Sequence, residues 1–293
     1  MNASFGIDHP LIAVNDIEGL RDRMISLGFN MTAVGKHPWG TSTSLAMFEG
    51  CLIEIMGIYD EGLLDEIPAG DFCFGRHVHT HLREREGIAL TALHSTDSMA
   101  DAKHAEEAGF TLSGHLEFGR DVTLPNGETG RTKTTLALMP DARWPRLSFF
   151  LCQQHRPELI YVPEWLNHPN TVFGICGMTI LAETGDHKAL IGKLEGLYGT
   201  TEKIDGGFKV GTANGPIRIQ SGRAVENDFG TLPSAIADSS APCIVALDLR
   251  YRNEEELRRW IANSGLDCRQ AGETLTLTRS VETGNTFLRF RRS

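Results

Sequence analysis

Four times along the chain an apolar run leads into Asp or Asn, then an amphipathic stretch, then Gly twelve or thirteen positions further on. The first instance, "DIEGLRDRMISLG", runs from Asp16 to Gly28, and the others run from Asp97 to Gly109, Asp186 to Gly199 and Asn253 to Gly265. A side-chain oxygen at the start can accept from the free N–H groups of a first helical turn, and Gly at the end closes a last turn in the left-handed conformation. The spacing therefore predicts helices near 16–27, 98–108, 186–198 and 253–264. After each come short alternating runs that read as strands, such as "TSLAMFEG" and "CLIEIMGI", "TKTTLALM" and "RLSFFLCQ", "GFKVGTA" and "PIRIQSG", "TLTLTRS" and "TFLRFRR". The unit is β-α-β-β with one more strand directly after the helix. One such unit leaves an apolar sheet face open, whereas two side by side make a curved sheet around a cavity.

The expected class is thus α+β, with four units in two paired domains at residues 1–155 and 170–293. They are joined by the Pro-containing stretch "HRPELIYVPEWLNHPN". The segment 60–87, which contains "LREREG", is expected to be helical near its end.

Other classes are disfavoured. The net charge of −10 opposes nucleic acid and anionic membrane surfaces as partners, so a small-molecule ligand is the expected partner; a homodimer is compatible with the sequence. No run approaches the ~20 apolar residues of a membrane span, and the start lacks a signal-peptide pattern, so a cytoplasmic address is expected. The 6 cysteines are scattered without a C-x-x-C pair and read as small buried hydrophobes. No phosphate-cradling loop, nucleophile elbow or dinucleotide glycine fingerprint is present.

Two polar residues interrupt otherwise apolar strands. His9 sits inside "GIDHPLIAVND", and Glu54 inside "CLIEIMG". A carboxylate flanked by Leu52, Ile53, Ile55 and Met56 is costly to bury without a partner. A histidine hydrogen-bonded at a strand edge is the plain reading of His9; the two lining one polar site is the sharper one. The cluster His77, His79, His81 falls in the predicted helix and reads as a solvated face rather than a metal motif. His168 and Asn170 read as ordering the turn between the two pairs, and Arg120 and Arg131 as surface arginines with the option of a carboxylate substrate.

The order of elements, with "DHP" opening the first strand and "LIEIMG" closing the first unit, resembles the vicinal oxygen chelate superfamily of glyoxalase I, extradiol dioxygenases and bleomycin-resistance proteins. "GKHPWGTSTSLAMF", "FGRHVHTHLREREGIAL", "RLSFFLC" and "NHPNTVFGI" are similar to its glyoxalase-like domain branch. The resemblance covers about residues 5–180, and the last two units follow it in layout only. It implies metal ligands or acid–base groups from the first and last strands of a unit, here His9 and Glu54, with substrate contacts from His37, Gly40, Thr41, His94 and Phe150. Imidazole plus carboxylate suits Zn, Ni, Mn or Fe as a divalent ion.

The second unit departs from the pattern, because the ligand positions fall on Leu90 and on Phe149 or Phe150. His94, on the same strand face as Leu90 if alternation is regular, is the substitute. Near the equivalent positions of the last two units stand Thr179, Ala246, Ile219 and Arg289, which read as scaffold. The implied activities are a metal-dependent lyase or isomerase, an extradiol-type dioxygenase, or non-catalytic binding of the resistance type.

Overall fold

The computed structural model describes residues 3–293. Its first part contains β1 (Ile7–Ala13), α1 (Ile17–Ser26), β2 (Gly35–Lys36), β3 (Thr41–Phe48), β4 (Cys51–Ile58), α2 (Phe74–Glu84), β5 (Gly87–Ser95) and α3 (Ser98–Glu107). There follow β6 (Gly114–Phe118), β7 (Asp121–Thr123), β8 (Thr129–Arg131), β9 (Thr134–Met139), β10 (Phe149–Gln154) and α4 (Pro163–Leu166). Eight strands form one sheet in the order β2-β3-β4-β1-β5-β10-β9-β6, while β7 and β8 pair only with each other.

The second part repeats the plan with β11 (Val172–Leu181), α5 (His187–Tyr198), β12 (Glu202–Ile204), β13 (Gly207–Gly211), β14 (Pro216–Gln220), α6 (Gly222–Phe229) and α7 (Ser234–Ala237). It ends with β15 (Cys243–Tyr251), α8 (Glu254–Asn263), β16 (Cys268–Ala271), β17 (Thr274–Leu277) and β18 (Phe287–Arg292). Its eight-stranded sheet has the matching order β12-β13-β14-β11-β15-β18-β17-β16. No helix among the described residues is long and apolar enough to cross a membrane.

The helices stand where the punctuation puts them. Asp16, Asp97 and Asn253 each accept from a backbone N–H of the first turn, and Gly28, Gly109, Gly199 and Gly265 all have positive φ. Asp186 differs: its carboxylate takes the guanidinium of Arg143 at 2.8 Å instead of capping α5.

Strand alternation sorts side chains onto two faces. Ile12, Ile53, Ile55, Ile88 and Leu151 of the first sheet join Ile180, Ile217, Ile219, Leu249 and Leu288 of the second in one core. The helices α1, α3, α5 and α8 contribute Leu20, Met24, Ala105, Leu194 and Leu257 to it. Polar clasps cross the same seam, with Asn214 bonding both backbone groups of Ile7 and Arg23 reaching Glu282 at 2.8 Å.

The opposite faces differ between the halves. In the second, Val225, Phe229 and Ile236 of α6 and α7 pack onto Val245, Ala246 and Phe287 and fill the concavity. Beside them the buried carboxylate of Asp248 is gripped by Arg218 at 2.6 Å, Arg289 at 2.5 Å and Arg291 at 3.2 Å. Ile219, expected near a ligand-equivalent position, belongs to the helix-side core, and its neighbour Arg218 takes the register opposite Thr179. In the first half the concavity stays open.

Candidate functional site

The open concavity is a cavity of about 440 Å³, within the range that holds a small organic ligand. Its walls are mostly apolar and aromatic, with Trp39, Met56, Phe74, Phe118, Leu136 and Phe150. Side chains of the β7–β8 hairpin segment, Asp121, Val122 and Thr123, line it beside Leu159, Ile160 and Trp165. Gly130 of that hairpin lies against Leu159, so the two segments meet.

His9 and Glu54 face each other in this cavity. Leu11 of β1 is level with Glu54 of the parallel neighbour β4, and the Nε2 of His9 lies 3.5 Å from the Oε2 of Glu54. Both residues are only 6% exposed. Each is held from behind: Asp8 Oδ1 meets His9 Nδ1 at 2.6 Å, and Thr43 Oγ1 donates to Glu54 Oε1 at 2.5 Å. Phe150 presses edge-on against the imidazole at 5.5 Å.

The way His9 comes to point inward is a β-bulge. Opposite β5, Ile7 pairs with Leu93 and His9 with Ala92, so Asp8 is an extra residue in β1. Ile7 therefore joins the helix-side core while His9, two residues on, faces the cavity. The bulge residue is 1% exposed, and its second oxygen accepts at 3.1 Å from Nδ1 of His94. Both carboxylate oxygens of Asp8 are thus engaged by imidazoles. Burial pushes the Asp8 pKa up, but the charges and hydrogen bonds of His9 and His94 outweigh it and hold it below the usual value. For His9, burial favours the neutral ring, yet the Asp8 charge and hydrogen bond and the Glu54 charge raise its pKa above the ordinary one.

A third donor, absent from the sequence-based set, is Cys152. Donor atoms of Asp8, His9 and Cys152 all lie within 4.8 Å of one another. Cys152 stands two residues beyond Phe150 on the last strand of the second unit, hence on the same face. Gln154 Nε2 donates to its sulfur at 3.3 Å, and Thr134 donates to Gln154 at 2.7 Å. Burial, with the Asp8 and Glu54 charges, keeps its thiol protonated far above the usual range. The donor types suit a divalent ion, and His9 is the donor they share: its Nε2 lies 3.5 Å from Glu54 Oε2, and a ring nitrogen falls within 4.8 Å of donors of Asp8 and Cys152, while Asp8 on Nδ1 fixes the ring as second-layer carboxylates do.

The remaining predicted contacts divide. His37 lines the cavity, stacked on Trp39 with ring centroids 4.8 Å apart and its Nδ1 2.9 Å from Thr41 Oγ1. Burial, then the charges of Arg120 and His9, hold its pKa well below the ordinary value, so the ring is neutral. Thr41 and Gly40 do not line the cavity. The Thr41 hydroxyl is committed to His37, and Gly40 makes a turn at φ 81° whose carbonyl accepts from Tyr59 N–H.

His94 also lies outside the cavity, in a separate recess with Phe5, Cys51 and Arg250, and reaches His9 only through Asp8. Regular alternation places it beside Leu90; at the strand end its ring turns to the bulge instead. His77 and His81 sit on α2, as expected, but not on a solvated face: His81 is buried and His77 donates to the Ala89 carbonyl at 3.1 Å. His168 bonds Met47 O at 2.7 Å and Asn170 bonds Leu27 O at 2.9 Å, tying the connecting stretch to β3 and to the C-terminal end of α1.

Residues 7–194 match the family model described as "Glyoxalase-like domain". No curated protein sequence matches the chain. Among solved structures, a hypothetical protein from Staphylococcus aureus superposes with a TM-score of 0.68 at 12% identity over 99% of this chain and 100% of its own. A variant of 4-hydroxymandelate synthase from Streptomyces coelicolor gives 0.62 at 12% identity, over 100% and 93%. The Mn(II)-bound glyoxalase from Novosphingobium aromaticivorans gives 0.57 at 11% identity, over 100% and 83%. At such identities the likeness is one of fold.

Proposed function

The chain belongs to the glyoxalase-like domain family of the vicinal oxygen chelate superfamily, and on that premise we propose that its first half is a divalent-metal site acting on a small oxygen-bearing organic molecule. The observation that carries the reading is the buried His9–Glu54 pair, 3.5 Å apart in a largely apolar cavity. Asp8 and Thr43 hold the two groups from behind, which leaves Nε2 and Oε2 turned toward each other in the cavity. His9 Nε2 and Glu54 Oε2 would hold the ion, with Cys152, whose sulfur falls within 4.8 Å of a His9 ring nitrogen, as a further donor, and a structural neighbour that is a Mn(II)-bound glyoxalase supports the choice of a divalent metal. When bound, such an ion supplies Lewis-acid polarisation of substrate oxygens, the chemistry shared by lyases, isomerases and dioxygenases of this type.

The chain's own residues set the stage. Asp8 keeps Nδ1 of His9 protonated, which leaves Nε2 free to face Glu54. Thr43 occupies one Glu54 oxygen and so directs the other inward. His37, neutral and stacked on Trp39, offers Nε2 as donor or acceptor to substrate oxygen. The aromatic walls and the β7–β8 hairpin limit water at the site.

The test is elemental analysis of protein purified without chelator. One equivalent of a transition metal is expected, lost in His9→Ala and Glu54→Ala and weakened in Cys152→Ser. Metal-free wild-type protein that cannot be reloaded would refute the metal centre and leave a small-molecule binding protein.

A further inference from the structure

Arg120 is an anomaly among the charged groups of the first half. It lines the cavity, half-buried, yet no carboxylate lies within 4 Å of its guanidinium and no side-chain hydrogen bond uses it among the described residues. The acids nearest in sequence are taken by others: Glu117 by Lys133 at 2.9 Å, and Asp121 by Arg131 at 2.8 Å. The guanidinium reaches across to β2, where Nη1 would sit 3.3 Å from a Cβ placed on Gly35. His37 lines the same cavity and feels the charges of both Arg120 and His9. From His37 a chain of ring contacts runs through Trp39, Phe74 and Phe150 to His9, with centroids 4.8, 5.3, 5.8 and 5.5 Å apart in turn. Trp39 is 1% exposed, and its indole N–H has no partner among the described residues.

We propose that Arg120 anchors the carboxylate of the substrate, and that the substrate is an aromatic or similarly apolar acid with its reacting oxygens at the far end, beside His9 and Glu54. One unpaired guanidinium matches one planar carboxylate through two parallel hydrogen bonds; a doubly charged phosphate would call for more cationic partners than this cavity has. The apolar and aromatic walls of a cavity of about 440 Å³ match a ligand with an apolar body better than a short hydroxy acid. This assignment deepens the proposed function in that it takes the same cavity as the substrate site, but it does not require that a metal be bound.

Calorimetric titration of the full-length protein tests it, with hydrocinnamate, naphthoate and biphenylcarboxylate as probes, each beside its primary amide. At least one acid is expected to bind about tenfold or more tighter than its amide, a preference that weakens with added salt. Arg120→Gln should abolish the preference and Arg120→Lys retain part of it. Arg131→Gln, whose guanidinium already has a carboxylate partner, should leave it unchanged. Circular dichroism on each variant separates a lost anchor from a lost fold, and Arg120→Lys serves if the Gln variant misfolds. The proposal is overturned if no acid binds, if acid and amide bind alike, or if the preference survives Arg120→Gln. Metal content, measured on the same samples, decides the metal reading separately: an apo protein that still prefers acids loses only that reading.

Discussion

Replacing Asp8 by Asn keeps the shape of the bulge residue and removes its charge. In the wild type that charge sits 1% exposed between two imidazoles, 2.6 Å from His9 and 3.1 Å from His94. The amide oxygen can still accept from His9, so the loss is that of a charge-assisted hydrogen bond rather than of a whole buried pair, about 1.5–3 kcal/mol. His94 adds little, because its side chain is 35% exposed and solvent screens it. For a chain of this size the effect corresponds to a fall in Tm of roughly 3–10 °C.

Its pH dependence follows from the signs. The raised pKa of His9 means stabilisation that is complete below the ordinary value of 6.5 and fades as pH climbs through the folded value. The lowered pKa of Asp8 means stabilisation present above the ordinary 3.8 and lost as pH falls through its folded value. The wild-type advantage is therefore largest between these two values and shrinks on the alkaline side, where only the hydrogen bond to a neutral ring remains. Thermal melts of chelator-treated protein at a series of pH values read it directly. A difference in Tm that is flat from about pH 5.5 to pH 9, or smaller than about 1 °C throughout, would refute the account of Asp8 as the charged support of His9.

Gly40→Ala should destabilise by at least about 2 kcal/mol, since it combines a left-handed backbone with a Cβ placed 2.3 Å from the Asp60 carbonyl oxygen. Because His37 leads into this turn, ligand binding measured by calorimetry should weaken with it. Asp248→Asn strips the common partner from Arg218, Arg289 and Arg291 and should cost about 3–5 kcal/mol in chemical denaturation, as the loss of one side of a buried ion cluster does. Metal content of the first half should not change in that variant.

The repeat was legible because a helix needs a polar start and a glycine stop, and each unit wrote both into a fixed interval. Asp16, Asp97 and Asn253 cap as their chemistry demands, while Asp186 shows the limit: nothing local announces that Arg143, in the other half, will claim its carboxylate. His9 and Glu54 stood out as polar residues in apolar strands. Asp8 did not, because a bulge reverses the in-out alternation without any mark in the residues, and a count by twos across it assigns faces wrongly. The same dependence on cross-strand register placed Arg218 rather than Ile219 at the second half's ligand-equivalent position, and turned His94 away from the cavity. Cys152 was hidden by its type, since a buried cysteine is more often packing than ligand.

The single core formed by both sheets and the four helices α1, α3, α5 and α8 has a bearing on how the molecule can be handled. Cutting the chain in the connecting stretch would bare the outer faces of both sheets at once, together with the seam where Asn214 holds Ile7 and Arg23 holds Glu282. Neither fragment is then a candidate for soluble expression by itself. Co-expressed, the fragments should find each other and restore the open cavity, which would make the chain a natural split reporter whose reassembly is read by recovered ligand binding.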